Sequence, residues 1–87
     1  MIIRNEKLTI ELHIADIEDG KSYYDFEIYD LGNNQINKDE DLWMKGFVRF
    51  DGCVNFDFNK THSCGLFDDL IERFQWIKEV LIEYTDE

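Results

Sequence analysis

The stretch LTIELHIADIEDGKSYYDFEIYD, residues 8–30, decides the fold of this chain. Every second residue from Leu8 to Ile14 is apolar, a period of two that is typical of a strand with one buried face. Asp19-Gly20 then interrupts the alternation, and glycine accepts the positive φ that a tight hairpin turn needs. The alternation resumes between Tyr24 and Ile28. The stretch therefore predicts two antiparallel strands joined by a short turn.

The segment MKGFVRFDGCVNFDFN, residues 44–59, predicts a second hairpin. Its turn is centred on Asp51-Gly52, and polar residues separate the apolar ones on both sides of that turn. The residues expected to point inward are Val48, Phe50, Val54, Phe56 and Phe58.

The tail that follows Gly65 changes period and predicts a helix. Its apolar residues recur every three or four positions, which gives one apolar stripe along a helix. Asp69 and Arg73 are four apart and can form an ion pair on its surface. The predicted stripe consists of Phe67, Leu70, Phe74, Ile77, Leu81 and Tyr84.

These elements predict an α+β fold over a single domain, residues 1–87. It is a four-stranded antiparallel meander of two hairpins, with one C-terminal helix packed on one face (ββββα). A chain of 87 residues can bury a core, but it offers little room for a deep substrate pocket beneath that core.

The charge of the chain is its most informative total. Twenty acidic and nine basic residues give a net charge of -11. Such a protein repels nucleic-acid backbones and anionic membranes, because binding to either depends on Lys and Arg. It favours a basic protein partner, whose association a complementary field accelerates. The alternative interpretation is that the acidity only keeps the protein soluble.

Both cysteines lie near the second hairpin, and we expect neither a metal site nor catalysis from them. Cys53, His62 and Cys64 lack the two close ligand pairs of structural zinc sites. A nucleophilic Cys64 with His62 as base would have no evident third group or oxyanion hole. Phosphate-binding glycine loops are absent as well. We therefore expect a protein that is not an enzyme and has no cofactor.

The N-terminal residues MIIRNEKLTIELHIAD alternate in polarity and do not form the apolar run of a signal peptide. No apolar stretch approaches the roughly 20 residues of a membrane span. A cytoplasmic protein with reduced thiols is the expectation.

One face of the predicted sheet carries acids and tyrosines and lacks a cover. His13 stands on this outward face two residues after Glu11, where we expect an exposed or interface histidine. Near the start of the third predicted strand, Trp43 follows three consecutive acids, and it either packs on the helix or contacts a partner. The predicted partner-binding residues are Glu11, Tyr23, Asp25, Glu27, Tyr29, Asp39, Glu40, Asp41, Trp43 and Asp57.

The function expected from these features is that of a small acidic inhibitor. An immunity or antitoxin protein would neutralise a basic toxin or nuclease by blocking its active site. The first alternative is a phage-type DNA mimic or anti-CRISPR protein that competes for a nucleic-acid-binding target. The second alternative is a homo-oligomerising accessory domain in which Tyr23 and Tyr29 are buried between two copies.

Overall fold

The computed structural model describes residues 1–18, 21–49, 51–59 and 67–85. The elements within these residues are β1 (Ile2–Arg4), β2 (Thr9–Glu18), β3 (Lys21–Tyr29), β4 (Leu42–Val48), β5 (Val54–Phe58) and α1 (Phe67–Thr85). The five strands form one antiparallel sheet in the order β1-β2-β3-β4-β5, and the helix follows them. The α+β fold with an antiparallel sheet and a C-terminal helix is thereby confirmed.

The prediction of four strands was wrong, because β1 adds a fifth at the edge beside β2. A three-residue strand is too short to show an alternation in the sequence. Its turn is held by the Asn5 side chain, whose Oδ1 accepts hydrogen bonds from the backbone N–H of Lys7 and Leu8 at 2.8 and 2.7 Å. An Asx turn of this kind is a local device that needs no alternating pattern.

A β-bulge between Ile14 and Asp16 sets the register of β2 against β3. Asp19-Gly20, where the sequence predicts the turn, lies outside the described residues. At the adjoining strand ends Glu18 pairs with Lys21, and that register would oppose inward residues of β2 to outward residues of β3. Residues directly opposite one another point to the same face of a sheet. The extra residue of the bulge corrects the mismatch, so that Leu12 lies opposite Phe26.

A second irregularity lies at the start of β4. Ile28 pairs with Met44, whereas the next residue, Tyr29, pairs with Leu42. Trp43 is therefore the extra residue, and its ring lies on the same side of the sheet as α1. It contacts Phe74 of α1 with a centroid distance of 5.6 Å. The bulge thus turns a residue that strict alternation would place outward into a core residue.

The core lies between one face of the sheet and α1. Ile77, Val80 and Leu81 of the helix join the buried sheet residues in a single cluster. The buried sheet residues are Leu8, Ile10, Leu12, Phe26, Ile28, Trp43, Met44 and Val48.

The predicted helical stripe was correct at Ile77 and Leu81, which are buried, and at Leu70, which packs against the core. Phe74 contacts the Trp43 ring, but it is 38% exposed, as is Tyr84. Val80, which the stripe omitted, is buried, so the contact side of the helix is wider than the predicted stripe. The expected inward position of Ile14 was wrong: it is 65% exposed and lies at the bulge, so the buried row of β2 ends at Leu12.

Asp69 and Arg73 do not form the predicted pair with each other; each forms an ion pair with a residue outside the helix. Arg73 Nη1 lies 2.9 Å from Asp30 Oδ1, at the end of β3, and its guanidinium lies 5.6 Å from the centre of the Trp43 ring. Asp69 pairs instead with Lys7, whose Nζ lies 3.8 Å from Asp69 Oδ1. These contacts join the first half of α1 to the loops of the sheet.

The second hairpin is confirmed around Asp51-Gly52. The backbone N–H of Gly52 donates to the carbonyl of Arg49 at 2.9 Å, and Gly52 has a φ of 85°.

β5 approaches β4 closely at Gly46, which lies opposite Phe56. A Cβ at position 46 would stand 1.8 Å from the carbonyl oxygen of Asn55 and 2.9 Å from the Phe26 ring. Phe50 lies outside the described residues. No helix in the part of the chain that the structure describes is long and apolar enough to cross a bilayer.

Candidate functional site: the open face of the sheet

The side of the sheet opposite α1 carries the candidate site, and strand register determines which residues meet there. One row across the strands runs from Glu11 through Glu27 and Lys45 to Asp57. The neighbouring row runs from His13 through Asp25 and Phe47 to Asn55. We call this surface the open face; its residues are Glu11, His13, Tyr23, Asp25, Glu27, Tyr29, Lys45, Phe47, Asn55 and Asp57.

Three titratable side chains meet at the β2–β3 part of the open face. Glu11 and His13 are two residues apart on β2 and so point the same way, and Glu27 lies directly opposite Glu11. His13 Nε2 is 3.1 Å from Glu27 Oε2. One ligand atom from each of the three side chains lies within 4.8 Å of the other two. The bulge in β2 creates this cluster, because it brings Glu11 into register with Glu27.

Tyr29 fixes the Glu11 carboxylate. Its hydroxyl donates a hydrogen bond to Glu11 Oε2 at 3.1 Å. Burial of the phenol, together with this hydrogen bond and the negative charges of Glu11 and Glu27, raises the pKa of Tyr29 to about 12. The phenol therefore stays neutral at physiological pH and serves as a donor in this cluster.

A tight turn at residues 37–41 places two more acids beside the open face. Asn37 Oδ1 accepts hydrogen bonds from the backbone N–H groups of Asp39 and Glu40 at 3.0 and 3.1 Å. The Asn37 N–H in turn donates to Asp41 Oδ2 at 2.8 Å. Lys38 extends from this turn to Glu11 Oε2 at 3.4 Å. The turn is therefore tied to β2, and the side chains of Asp39 and Glu40 remain exposed.

A shallow depression of about 320 Å³ lies across β3, β4 and β5. Asp25, Glu27, Asn55 and Asp57 line it together with Lys45 and Phe47. Phe47 is 38% exposed and presents an aromatic surface among carboxylates. Sequence reasoning did not include Lys45 and Phe47 in the site, although an inward Val48 already implied an outward Phe47 by alternation.

The ten predicted partner-binding residues differ widely in accessibility. Four are exposed: Asp25, Asp39, Glu40 and Asp57. Four more are partly exposed: Glu11, Tyr23, Glu27 and Asp41. Tyr29 is buried at the edge of the open face, and its hydroxyl is engaged by Glu11.

Trp43 requires a correction. It is only 3% exposed and packs between Phe58 and Phe74 on the helix side of the sheet. The packing alternative is therefore what the structure contains, and the bulge at the start of β4 is the reason. The acids that precede Trp43 remain at the surface without it.

Of the three candidate ligands Cys53, His62 and Cys64, the structure describes Cys53. Cys53 is exposed in the second hairpin, and its backbone N–H donates to Asp51 Oδ1 at 3.0 Å. His62 and Cys64 lie outside the described residues.

No family model, curated protein or solved structure matches this chain. Its fold and site define a small α+β protein with an acidic open sheet face.

Proposed function

We propose that the protein is an inhibitor that binds a basic protein partner through the open face and the turn at residues 37–41. The observation that carries the proposal is the exposed Phe47 among the carboxylates of Asp25, Glu27 and Asp57 in one shallow depression. Aromatic side chains supply much of the contact energy at interfaces, and surrounding charges select the partner. A face built in this way suits a partner with a basic rim and an apolar contact point.

The partner class we favour is a toxin or nuclease, which makes the protein an immunity or antitoxin protein. Enzymes that cleave nucleic acids need positive active sites, and a carboxylate surface can occupy such a site in place of the phosphates. The net charge of -11 would accelerate the encounter and make it sensitive to salt.

The DNA-mimic alternative has less support. A mimic of a duplex needs uninterrupted rows of negative charge, whereas Lys45 lies between Glu27 and Asp57 in the row across the sheet. Lys38 adds a second cation beside Glu11. A mixed surface with an aromatic centre fits a protein contact better than it fits a phosphate-like array.

The experiment compares two variants with the same change in net charge. Asp25→Asn/Asp57→Asn neutralises two carboxylates of the open face, and Glu79→Gln/Glu83→Gln neutralises two exposed carboxylates of α1. The immobilised wild-type protein captures partners from a lysate of the source organism at low salt, and rising salt elutes them. The eluted protein is then assayed for nucleic-acid cleavage with and without each variant.

We expect one basic protein whose cleavage activity the wild type suppresses. The open-face variant should bind it about ten-fold more slowly or weakly, because steering and contact are both reduced. The helix variant should bind almost like the wild type. Equal losses in both variants would show that only overall charge matters, and an unchanged open-face variant would place the contact elsewhere.

A further inference from the structure

We propose that Glu11, His13 and Glu27 form a zinc-binding site on the open face. They offer one imidazole nitrogen and two carboxylate oxygens, and the three ligand atoms all lie within 4.8 Å of one another. Three protein ligands with a remaining open position are a common arrangement for Zn²⁺. This inference goes beyond the proposed function, since it concerns the isolated protein and requires no partner.

The contact between His13 and Glu27 supports this assignment. Glu27 Oε2 is a buried atom with no hydrogen-bond donor among the described residues, although His13 Nε2 lies 3.1 Å away. The two atoms are therefore in close contact, but the contact does not count as a hydrogen bond. Zinc bonds of about 2.0–2.1 Å at tetrahedral angles place neighbouring ligand atoms about 3.3 Å apart. A cation between the two atoms would bond to a buried oxygen that accepts no hydrogen bond from the described residues.

The surroundings of the cluster hold its ligands in place. Glu11 and His13 share one face of β2, and Glu27 is fixed opposite Glu11 by the sheet register. The Tyr29 hydroxyl donates to Glu11 Oε2 and so orients that carboxylate. Hydrogen bonds to a ligand from its neighbours are typical of metal sites, where they set the orientation of the ligand.

Lys38 competes with a metal ion for the Glu11 carboxylate. Its ammonium lies 3.4 Å from Glu11 Oε2 and already places a positive charge beside the cluster. The side chain is otherwise mostly exposed, so it can move into solvent when a metal ion enters. Removing this charge should therefore strengthen metal binding, whereas removing a ligand should weaken it.

The ligand set also selects the ion. Imidazole suits Zn²⁺, whereas Mg²⁺ and Ca²⁺ prefer sites built only from oxygen atoms. A surface that merely attracts cations would bind all three ions with similar weakness. Preference for Zn²⁺ therefore separates coordination by His13 from general attraction to an acidic protein.

The test is titration of the purified full chain with Zn²⁺ alone at pH 7.5, by calorimetry and by the shift of the His13 ring resonances in NMR spectra. We expect one ion per chain, at least ten-fold weaker binding in both His13→Ala and Glu27→Gln, and several-fold tighter binding in Lys38→Met. Glu79→Gln/Glu83→Gln is the matched surface control and should bind like the wild type. Mg²⁺ should leave the His13 resonances unchanged.

A second control addresses the thiols. Cys53→Ser/Cys64→Ser should bind Zn²⁺ like the wild type, and loss of the ion in that variant would assign it to the cysteines and overturn the proposal. Absence of Zn²⁺ binding, or unchanged binding in His13→Ala, would overturn it equally. Circular dichroism of each variant shows whether the sheet has formed, and the Lys38→Met result does not depend on removing a ligand.

Discussion

The hydroxyl of Tyr29 on β3 donates a hydrogen bond diagonally across the sheet to Glu11 Oε2 on β2, at 3.1 Å. The contact joins a buried phenol to a mostly covered carboxylate on a surface that otherwise faces water. A neutral phenol can donate to the carboxylate, but a phenolate would repel it. Protonation of Tyr29 is therefore coupled to the integrity of this part of the sheet.

Tyr29 should make the stability of the protein depend on pH in the alkaline range. Its pKa is about 12 in the folded protein and 10.0 in an unperturbed tyrosine, so folding favours the protonated phenol. This contribution is complete below pH 10 and is lost as the pH rises through 12. Urea unfolding at pH 8 and at pH 11.5 should show a larger loss of stability in the wild type than in Tyr29→Phe.

Glu11→Gln separates the effect of the Glu11 charge on the pKa of Tyr29 from the effect of burial. It should lower the pKa of Tyr29 toward 10 without removing the burial that also raises it. The difference in phenolate absorbance between each protein and its Tyr29→Phe counterpart during alkaline titration measures this shift. An unchanged Tyr29 titration would mean that burial alone accounts for the raised pKa.

Gly46→Ala should destabilise the protein strongly. The added Cβ would lie 1.8 Å from the carbonyl oxygen of Asn55 and 2.9 Å from Cζ of Phe26, so β5 would have to move away from β4. We expect a loss of about 2–4 kcal/mol in the free energy of unfolding, as for other overpacked core positions.

Gly52→Ala provides the comparison for Gly46→Ala. Nothing lies within 4 Å of a Cβ at position 52, and only its positive φ is unfavourable. That conformation costs about 1–2 kcal/mol in a residue with a side chain. If the two variants lost equal stability in urea, the close approach of β5 at Gly46 would be of no consequence.

Arg73 should contribute more to stability than the exposed lysine on the same side of the molecule. Its guanidinium is partly covered, lies 2.9 Å from Asp30 and stacks near the Trp43 ring. Arg73→Gln should cost about 1–2 kcal/mol, between the values of exposed and buried ion pairs. Lys7→Gln removes only exposed contacts at 3.8 Å to Asp69 and Glu72 and should cost less than about 0.5 kcal/mol.

Two isoleucines of α1 test which side of the helix rests on the sheet. Ile77 is 1% exposed and Ile71 is 51% exposed. Ile77→Ala should cost about 2–4 kcal/mol, because it leaves a cavity in the core. Ile71→Ala should change the unfolding free energy by less than about 0.5 kcal/mol. Equal losses in both variants would contradict the observed orientation of α1.

The sequence was sufficient for the pairing of β2 with β3 but did not reveal their register. The alternation in residues 8–30 and the Asp19-Gly20 dipeptide predict a tight hairpin, yet a two-residue turn opposes inward residues to outward ones. A bulge is therefore required, and the sequence does not say where it lies. Because the bulge between Ile14 and Asp16 brings Glu11 opposite Glu27, the cluster with His13 could not be predicted either.

The sequence left the position of Trp43 open between core and partner contact, and it did not predict β1, for two different reasons. Trp43 is turned into the core by an extra residue in β4, and local pattern carries no sign of such an insertion. β1 is too short to alternate, although Asn5 is a turn residue that hinted at a preceding hairpin. The helix was predicted from its period, but Val80 shows that the line of contact depends on the sheet beneath it.

The meander order has a consequence for the rate of folding. Each strand pairs with its neighbour along the chain, so that every pairing closes a short loop, the longest being residues 30–41. Short loops cost little entropy to close and favour rapid formation of the sheet. Docking of α1 closes a much longer loop, because the core joins Ile77 to strands as distant as β2. We therefore expect the sheet to form in the transition state before the helix docks, so that Ile77→Ala accelerates unfolding far more than it slows folding.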